Sequence, residues 1–589
     1  MKHSGKIFWL VVFAAILLYL QMECYDSLTY LEQMQLFLFT SDYASEVIRQ
    51  PSGMAVYVSR FLTQFFCLPW IGAAIVAALL TLVGVLFQQV LKSIVKPGNV
   101  LLSASFALLP VCGLLYLHHD FNYSMAGTVA LAVALCALWV IEAVRNPYVR
   151  FAVAIVVWPD LYMLIGPVAM AGVLLQLAVE LIRRRPMWYL MFLPMLAVSG
   201  MAVWCVSSGM LAEWRTALSA DMYYDSMVGP MKLLFPYCAI VLSLLLALGS
   251  AKLPDGHAKM KTLMAMLVVV LGVGVFIGLE ATDDADRAMR SSAKNYHRLT
   301  NGLWDAIIYD FEKSDQHTIE DYNVLHIALA EKGKLHSNLF AYHQPGVHAL
   351  IAPWDNSLSA AMYLSEIYYR IGDIVWTQKL AFEGTVASTA GGSAQLLKRL
   401  VDTNIICGEY RVAEKYIYIL EHTLMYSDWA HERRRLLDND SAVEADADLG
   451  VRRGAYRGNG NYAEAFDITG ILERLAQNNP TNRLAIDYLT AFYMLTKDSA
   501  NFTRIVEKYY GTEVLPSLSQ QLQQAIVAAN RFDFGFCLSH GVSESTINQF
   551  RSVSLFVEVN QVDSKFDELF YDRYGDTYWY YLTINSDEQ

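Results

Sequence analysis

The stretch Lys6-Ile7-Phe8-Trp9-Leu10-Val11-Val12-Phe13-Ala14-Ala15-Ile16-Leu17-Leu18-Tyr19-Leu20-Gln21-Met22-Glu23-Cys24-Tyr25-Asp26 decides the fold class. Its apolar run, 7–22, starts behind a lysine and ends at two carboxylates. A bilayer core takes about 20 apolar residues per helix, so this run reads as a membrane span. The pattern recurs at 68–91, 99–117, 123–144, 150–159, 161–182, 187–207, 231–250 and 261–280. The run at 150–159 is too short to cross alone. It is paired with 161–182 as a hairpin broken at Pro159, because Arg150 and Arg183, Arg184 and Arg185 flank its two ends. Broken helices at membrane depth are tolerated where they line a cavity.

Charge gives an orientation. Lys2, Lys6, Lys92, Lys96, Arg145, Arg150, Arg183 to Arg185, Lys252, Lys259 and Lys261 fall on the N-terminal side, and only Arg49, Arg60, Arg215 and Lys232 on the other. Basic residues favour the cytoplasmic side, so the N-terminus is expected inside and everything after Glu280 outside. The start imitates a signal peptide, but Gln21-Met22-Glu23 lacks a small-residue cleavage site, so the span is expected to stay.

The 589 residues divide sharply by composition. Residues 1–280 hold 16 Lys+Arg against 14 Asp+Glu, which leaves 28 against 42 for the remainder. An acidic second part is repelled by phosphate backbones, which excludes nucleic acid as a partner. The expected domains are a transmembrane helical domain over 1–280, a hinge over 281–295 marked by Asp283-Asp284-Ala285-Asp286, and a helical-repeat domain over 296–589. A long outer loop at 23–67 has segments that suit either interfacial helices or packing against the spans.

In the second part, amphipathic runs flank recurring turns: Gly333-Lys334-Leu335, Gly372-Asp373-Ile374, Gly408-Glu409-Tyr410 and Gly460-Asn461-Tyr462. The step from Gly372 to Gly408 is 36 residues, and Asn479-Pro480 punctuates a later pair. These features resemble a divergent tetratricopeptide-type solenoid over about 300–540, interrupted by a charged insertion at 426–458. The aromatic segment from Phe566 to Ile584 reads as the cap that such an array needs. The fold class is therefore all-α: a polytopic transmembrane helical bundle of about nine spans followed by a soluble α-solenoid. Cysteines lack paired metal-ligand spacing, and Cys407 with Cys537 leaves a disulfide open.

Chemistry is expected where acids meet the outer helix ends. Glu23 and Asp26 lie three apart and would share one face of a continuing helix, as a general base or as oxygen ligands for a divalent cation. Solvated acids at a helix end are the ordinary alternative. His118-His119-Asp120 follows the third span, where the imidazoles could bind metal, move protons or pair with lipid phosphate. Asp160 behind Pro159 either joins these acids or caps the sixth span. The loop Tyr342-His343-Gln344-Pro345-Gly346-Val347-His348 either faces the membrane site or is a plain turn.

This layout resembles the membrane-embedded GT-C type of glycosyltransferase, with many spans, a long first outer loop, an acid just after the first span and a soluble outer domain. The resemblance implies transfer from a polyprenyl-phosphate-linked sugar at the outer face of the membrane. Glu23 and Asp26 would stand where that family keeps its first-loop acids and Asp120 where it keeps an acid of the second outer loop. Glu23-Cys24-Tyr25-Asp26 departs from the adjacent or alternating acids common there. On this reading Arg49, Arg60, His118, His119 and Asp160 hold the substrate. The whole chain is also similar to a family of Bacteroidetes polytopic inner-membrane proteins with a tetratricopeptide-like outer domain, which implies a bacterial inner-membrane location with a periplasmic C-terminal domain. The competing class is a non-enzymatic scaffold: a helical-repeat domain, anchored in the lipid bilayer, that binds a protein partner of an envelope assembly. Transport is disfavoured because Glu142 and Glu180 sit at helix ends, not at mid-membrane.

Overall fold

The computed structural model describes residues 4–584 apart from 96–98, 121, 219–227, 253–257, 389–390, 457–466, 532 and 562–564. Lys2, Lys96 and the turn Gly460-Asn461-Tyr462 lie outside the described residues. The chain forms two compact units: Met1–Lys294 with His422–Ser427, and Asn295–Glu421 with Asp428–Gln589. The described residues are helical, and their β-structure is one isolated bridge between Tyr510 and Leu515.

The first unit contains α1 Ser4–Glu23, α2 Tyr25–Gln33, α3 Ser41–Ile48, α4 Gly53–Thr63, α5 Ile71–Leu91, α6 Val100–Leu117, α7 Ala126–Ala143, α8 Pro147–Ile165, α9 Val168–Ile182, α10 Phe192–Ser207, α11 Trp214–Leu218, α12 Pro230–Ala251 and α13 Ala258–Thr282. It also holds the start of α14 Asp284–Asn301, so the segment expected as a hinge is helical from Asp284. Among the described residues, eight helices are long and apolar enough to cross a membrane, and α9 is a shorter apolar helix. The protein is therefore a membrane protein. Its outward faces are aliphatic, as Leu263, Val270, Leu271, Val275 and Ile277 of α13 show. Lipid makes such exposure stable, since hydrocarbon is as apolar as leucine.

The break expected at Pro159 is not there. Helix α8 starts on the Asn146 cap with Pro147 in its first turn and runs through Pro159. A proline removes one helical hydrogen bond, and a helix with neighbours alongside continues across that loss. The chain turns instead at Gly166-Pro167, where Gly166 has φ +57°, a conformation that favours glycine. Asp160 thus lies inside α8, exposed, and does not cap the next helix.

Two tryptophans lock helix pairs by one device. The Trp9 indole of α1 lies over Gly84 of α5 and donates to Gln88 Oε1 at 2.9 Å. The Trp158 indole of α8 lies over Gly172 of α9 and donates to Gln176 Oε1 at 2.6 Å. A Cβ at Gly84 or Gly172 would stand 2.2 or 2.3 Å from the ring. Glycine admits the ring, and the glutamine one turn later satisfies its N–H, which hydrocarbon cannot do.

Of the two behaviours expected in the first loop, packing against the spans is seen in α4. Helix α4 packs on α7 and α8, with Ser59 and Thr63 buried, and the Ser52 N–H donates to Met163 O at 2.8 Å. Helix α3 buries none of its residues.

The second unit continues with α15 Trp304–Lys313, α16 Ile319–Glu331, α17 Leu335–Asn338, α18 Leu358–Ile371, α19 Ile374–Ala387, α20 Ala394–Cys407, α21 Tyr410–Glu421, α22 Ser427–Arg434, α23 Asp440–Ala445 and α24 Leu449–Tyr456. It ends with α25 Ile468–Asn478, α26 Arg483–Leu495, α27 Ser499–Tyr509, α28 Gln520–Ala529, α29 Phe534–Ser539, α30 Glu544–Asn560, α31 Phe566–Tyr574 and α32 Tyr578–Ile584. Side chains cap helix after helix: Thr318, Ser357, Asp373, Ser393, Asn482, Asp498, Ser519 and Ser543 each accept from a backbone N–H of the first turn. Gly372 and Gly408 end their helices with φ +94° and +80°. Helices α18 to α21 stack in chain order, and α25 to α28 form a second run that packs back on α16, α17 and α18.

The charged insertion is ordered from 427 to 456 as α22 to α24. Its Arg453, buried, donates to Ile405 O at 2.5 Å and Ile406 O at 3.2 Å, carbonyls in the last turn of α20. The loop 342–348 is a pinned turn. Asn323 Nδ2 donates to His348 O and Ala349 O, both at 2.7 Å, and the Ala352 N–H donates to Asn323 Oδ1. Helices α31 and α32 cover α28, with Trp579 Nε1 donating to Gln524 O at 3.0 Å. Cys407 and Cys537 are both free thiols.

Candidate functional site

The C-terminal ends of α1, α6 and α13 and the first turn of α12 meet at one end of the bundle, here the far end. Burial leaves their polar groups little water, so they bind one another. Tyr19 of α1 donates its hydroxyl to Glu280 Oε1 at 2.7 Å, and Arg290 of α14 donates to the same oxygen at 2.9 Å. His119 Nε2 lies 2.9 Å from the Tyr19 oxygen. Tyr19 has a single proton and gives it to Glu280, so the imidazole carries its hydrogen on Nε2. Its Nδ1 is then an acceptor, and it has no partner although His119 is 0 % exposed.

A second arm stands beside the first. Tyr116 donates to Asp283 Oδ2 at 2.5 Å, while Lys232 Nζ lies 2.8 Å from Asp283 Oδ2 and 2.6 Å from Asp286 Oδ1. Asp283 Oδ1 also accepts the Asp286 N–H at 3.1 Å, which caps the start of α14. Asp286 is 0 % exposed, and its Oδ2 has no partner. The His119 ring packs on Phe276 and Tyr116, with centroids 5.4 and 6.3 Å away, and so sits between the arms.

Burial and charge set the protonation states. Burial raises Asp283, but the Lys232 and Tyr116 hydrogen bonds outweigh it and hold the carboxyl well below the usual carboxylate range. Asp286 ends up raised, because burial outweighs its bond to Lys232. Burial pushes His118 down to about 3 and His119 down to about 4, the latter with help from Arg290. Both imidazoles are neutral at pH 7. Burial also pushes the Cys24 thiol up to about 12, which removes it as a nucleophile.

The residues singled out from the sequence fall in several places. Glu23 is exposed on the last turn of α1, and Cys24 interrupts the helix, so Asp26 belongs to α2 and the two acids do not share one helix. Asp120 is buried and raised by that burial, and its Oδ1 accepts from Asn122 N at 2.9 Å. His118 is bonded to Thr128 Oγ1 at 3.0 Å inside the bundle. Arg49 is exposed, and Arg60 NH1 lies 3.4 Å from the Tyr43 hydroxyl. Asp160 is on α8, which packs on α4, α7, α9 and α10, whereas α1 packs on α5 and α6. The structure therefore brings His119 and Asp120 toward the far-end network and places Asp160 on other helices.

Tyr19, Tyr116, Lys232, Glu280, Asp283, Asp286 and Arg290 build the network and were not singled out as a site. One signal was available: Lys232 is a cation in the first turn of an apolar span, on the side where cations are scarce. Among the described residues, no group of three or more His, Cys, Asp or Glu is placed to hold a metal ion, so the divalent cation finds no donor set there. No curated protein and no solved structure matches the chain. A family model described as a family of unknown function (DUF6057) matches residues 1–585, and the chain belongs to that family.

Proposed function

We propose that this chain is a non-enzymatic, membrane-anchored helical-repeat scaffold for a protein assembly of the bacterial envelope. One observation carries this reading: Glu280, Asp283 and Asp286 at the far end each accept from a donor inside the bundle. Glu280 accepts from Tyr19 and Arg290, and Asp283 accepts from Tyr116 and Lys232. A general base needs reach to a substrate proton, and these carboxylates spend theirs on internal donors. Their work is to hold the start of α14 on the bundle. The repeat domain then supplies recognition. Phe382 and Val386 lie one turn apart on α19, and Leu555 and Val559 one turn apart on α30, all well exposed. Exposed apolar pairs on stacked helices suit binding of a protein surface. On the charge rule, the domain lies in the periplasm of the inner membrane.

In living cells, a photo-cross-linking residue at Phe382 or Val386 is expected to give one discrete protein adduct. A ladder of nonspecific adducts, or none, at both positions and at Leu555 contradicts the scaffold.

The glycosyltransferase reading stands second. Buried Asp120, its carboxyl raised by that burial, is what favours it, since perturbed carboxyls collect at catalytic sites. It would need Glu23 and Asp26 to act together from two helices, with a polyprenyl-phosphate sugar as donor.

A further inference from the structure

The opposite end of the bundle, the near end, carries an arginine cluster that the scaffold reading does not use. It forms where the C-terminal end of α7, the first turn of α8 and the C-terminal end of α9 pack together. Arg150 Nε donates to Glu180 Oε1 at 2.7 Å, and Arg150 NH2 to Glu180 Oε2 at 3.4 Å. Their side chains are 8 % and 3 % exposed. Arg185 NH1 bridges Glu180 Oε1 at 3.1 Å and Glu142 Oε2 at 2.9 Å. Arg183 NH1 takes the same Glu142 oxygen at 2.6 Å. Arg184, between them, has φ +48°, and this turn sets Arg183 and Arg185 on one carboxylate.

The charges do not balance. Three arginines share two glutamates inside the cluster, and Arg145 and Arg184 stand exposed beside it. Burial, and then Arg185 next to it, press the Arg183 guanidinium below its ordinary value against the pull of Glu142. Glu142 Oε1 is buried and accepts nothing. An open cleft adjoins the cluster, lined by Pro147, Arg150, Glu180, Pro186, Trp188 and Met191. Trp188, Tyr189 and Phe192 stay exposed at its rim, and aromatic rings of this kind seat at the headgroup level of a bilayer.

We propose that this arginine cluster binds the phosphate of an anionic phospholipid, through the partly exposed guanidinium groups of Arg183 and Arg185. Guanidinium forks match phosphate oxygens in geometry, and the excess positive charge selects an anion. The acyl chains lie along the apolar outer faces of α8 and α10, where Val156 and Leu196 are exposed. Basic pockets between spans bind anionic headgroups by this chemistry.

The test uses the full-length chain in detergent micelles. Thermal unfolding is followed with added phosphatidylglycerol, with phosphatidylcholine, and with inorganic phosphate. Phosphatidylglycerol is expected to stabilise the chain, with a preference of about tenfold over phosphatidylcholine in the concentration needed. Inorganic phosphate at millimolar concentration is expected to do nothing. In Arg183→Gln the preference falls to near one, and in Arg145→Gln, outside the cluster, it stays. Equal effects of the two lipids on the wild type overturn the proposal, with no need for a variant. Full stabilisation by inorganic phosphate overturns the lipid as its source, and loss in Arg145→Gln equal to that in Arg183→Gln overturns the cluster in favour of diffuse charge.

Discussion

At the far end of the bundle, Asp120, Glu280, Asp283 and Asp286 face two permanent cations, Lys232 and Arg290; at the near end, Arg150, Arg183 and Arg185 face Glu142 and Glu180. Both ends bury ionised groups at the margin of an apolar bundle, where isolated charge is costly. The far end answers with internal donors, two of them tyrosine hydroxyls, and with neutral histidines. The near end leaves its surplus charge beside an open cleft. The two ends differ in the sign of their surplus: carboxylate at the far end, where it is bonded to internal donors, and guanidinium at the near end. A network whose acids each accept from a neighbour is a joint, and a cluster with surplus guanidiniums is a receptor for an anion.

The largest effect expected on this comparison is at Lys232. Lys232→Met leaves Asp283 and Asp286 beside each other without their cation, and a broken buried pair costs about 3–5 kcal/mol. Thermal unfolding in micelles should show a large drop; an unchanged melting temperature would mean that the far end is not held by these charges. Next comes Gly172→Ala. The new Cβ collides with the Trp158 ring, and overpacking costs about 1–3 kcal/mol. Melting temperature and tryptophan emission should shift together there, and equally in Gly84→Ala. Tyr19→Phe removes one donor from Glu280 and the acceptor of His119, a loss of about 1–2 kcal/mol by the same assay.

The smallest effect is the pH dependence. Asp283 has a depressed folded-state value, so its stabilisation is present above the ordinary carboxylate range and is lost as pH falls through and below it. Stability of the membrane half should therefore decline below pH of about 4. Lys232→Met should flatten that decline, and an identical acid slope in the variant would break the link to Asp283.

Much of this was legible in the sequence, and what was not has physical causes. Apolar runs of span length announced the membrane helices, because lipid enforces composition over about 20 residues at a time. Turn glycines announced the helix hairpins, since Gly408 acts through neighbours within four residues. Pro159 misled because a proline costs a single hydrogen bond, while the turn needed a positive φ that Gly166 could take. The far-end network was half visible. Asp120 and the histidines stood out as polar residues beside a span, but Tyr19 bonds to Glu280 across 261 positions, and a tyrosine in an apolar run reads as a plain interfacial ring. The Trp9–Gly84–Gln88 and Trp158–Gly172–Gln176 locks were invisible for the same reason: each joins two helices that composition alone cannot pair.

The central claim is that the acids of the membrane half are structural and that the chain works as a scaffold. It is tested most directly by replacing the two acids that an enzyme would need and that the far-end bonds described above leave out, Glu23 and Asp26. In cells lacking the protein, the Glu23→Ala, Asp26→Ala double variant, present at wild-type abundance in the membrane, should restore the wild-type envelope phenotype in full. Failure to restore it at that abundance would contradict the scaffold and return the site to catalysis.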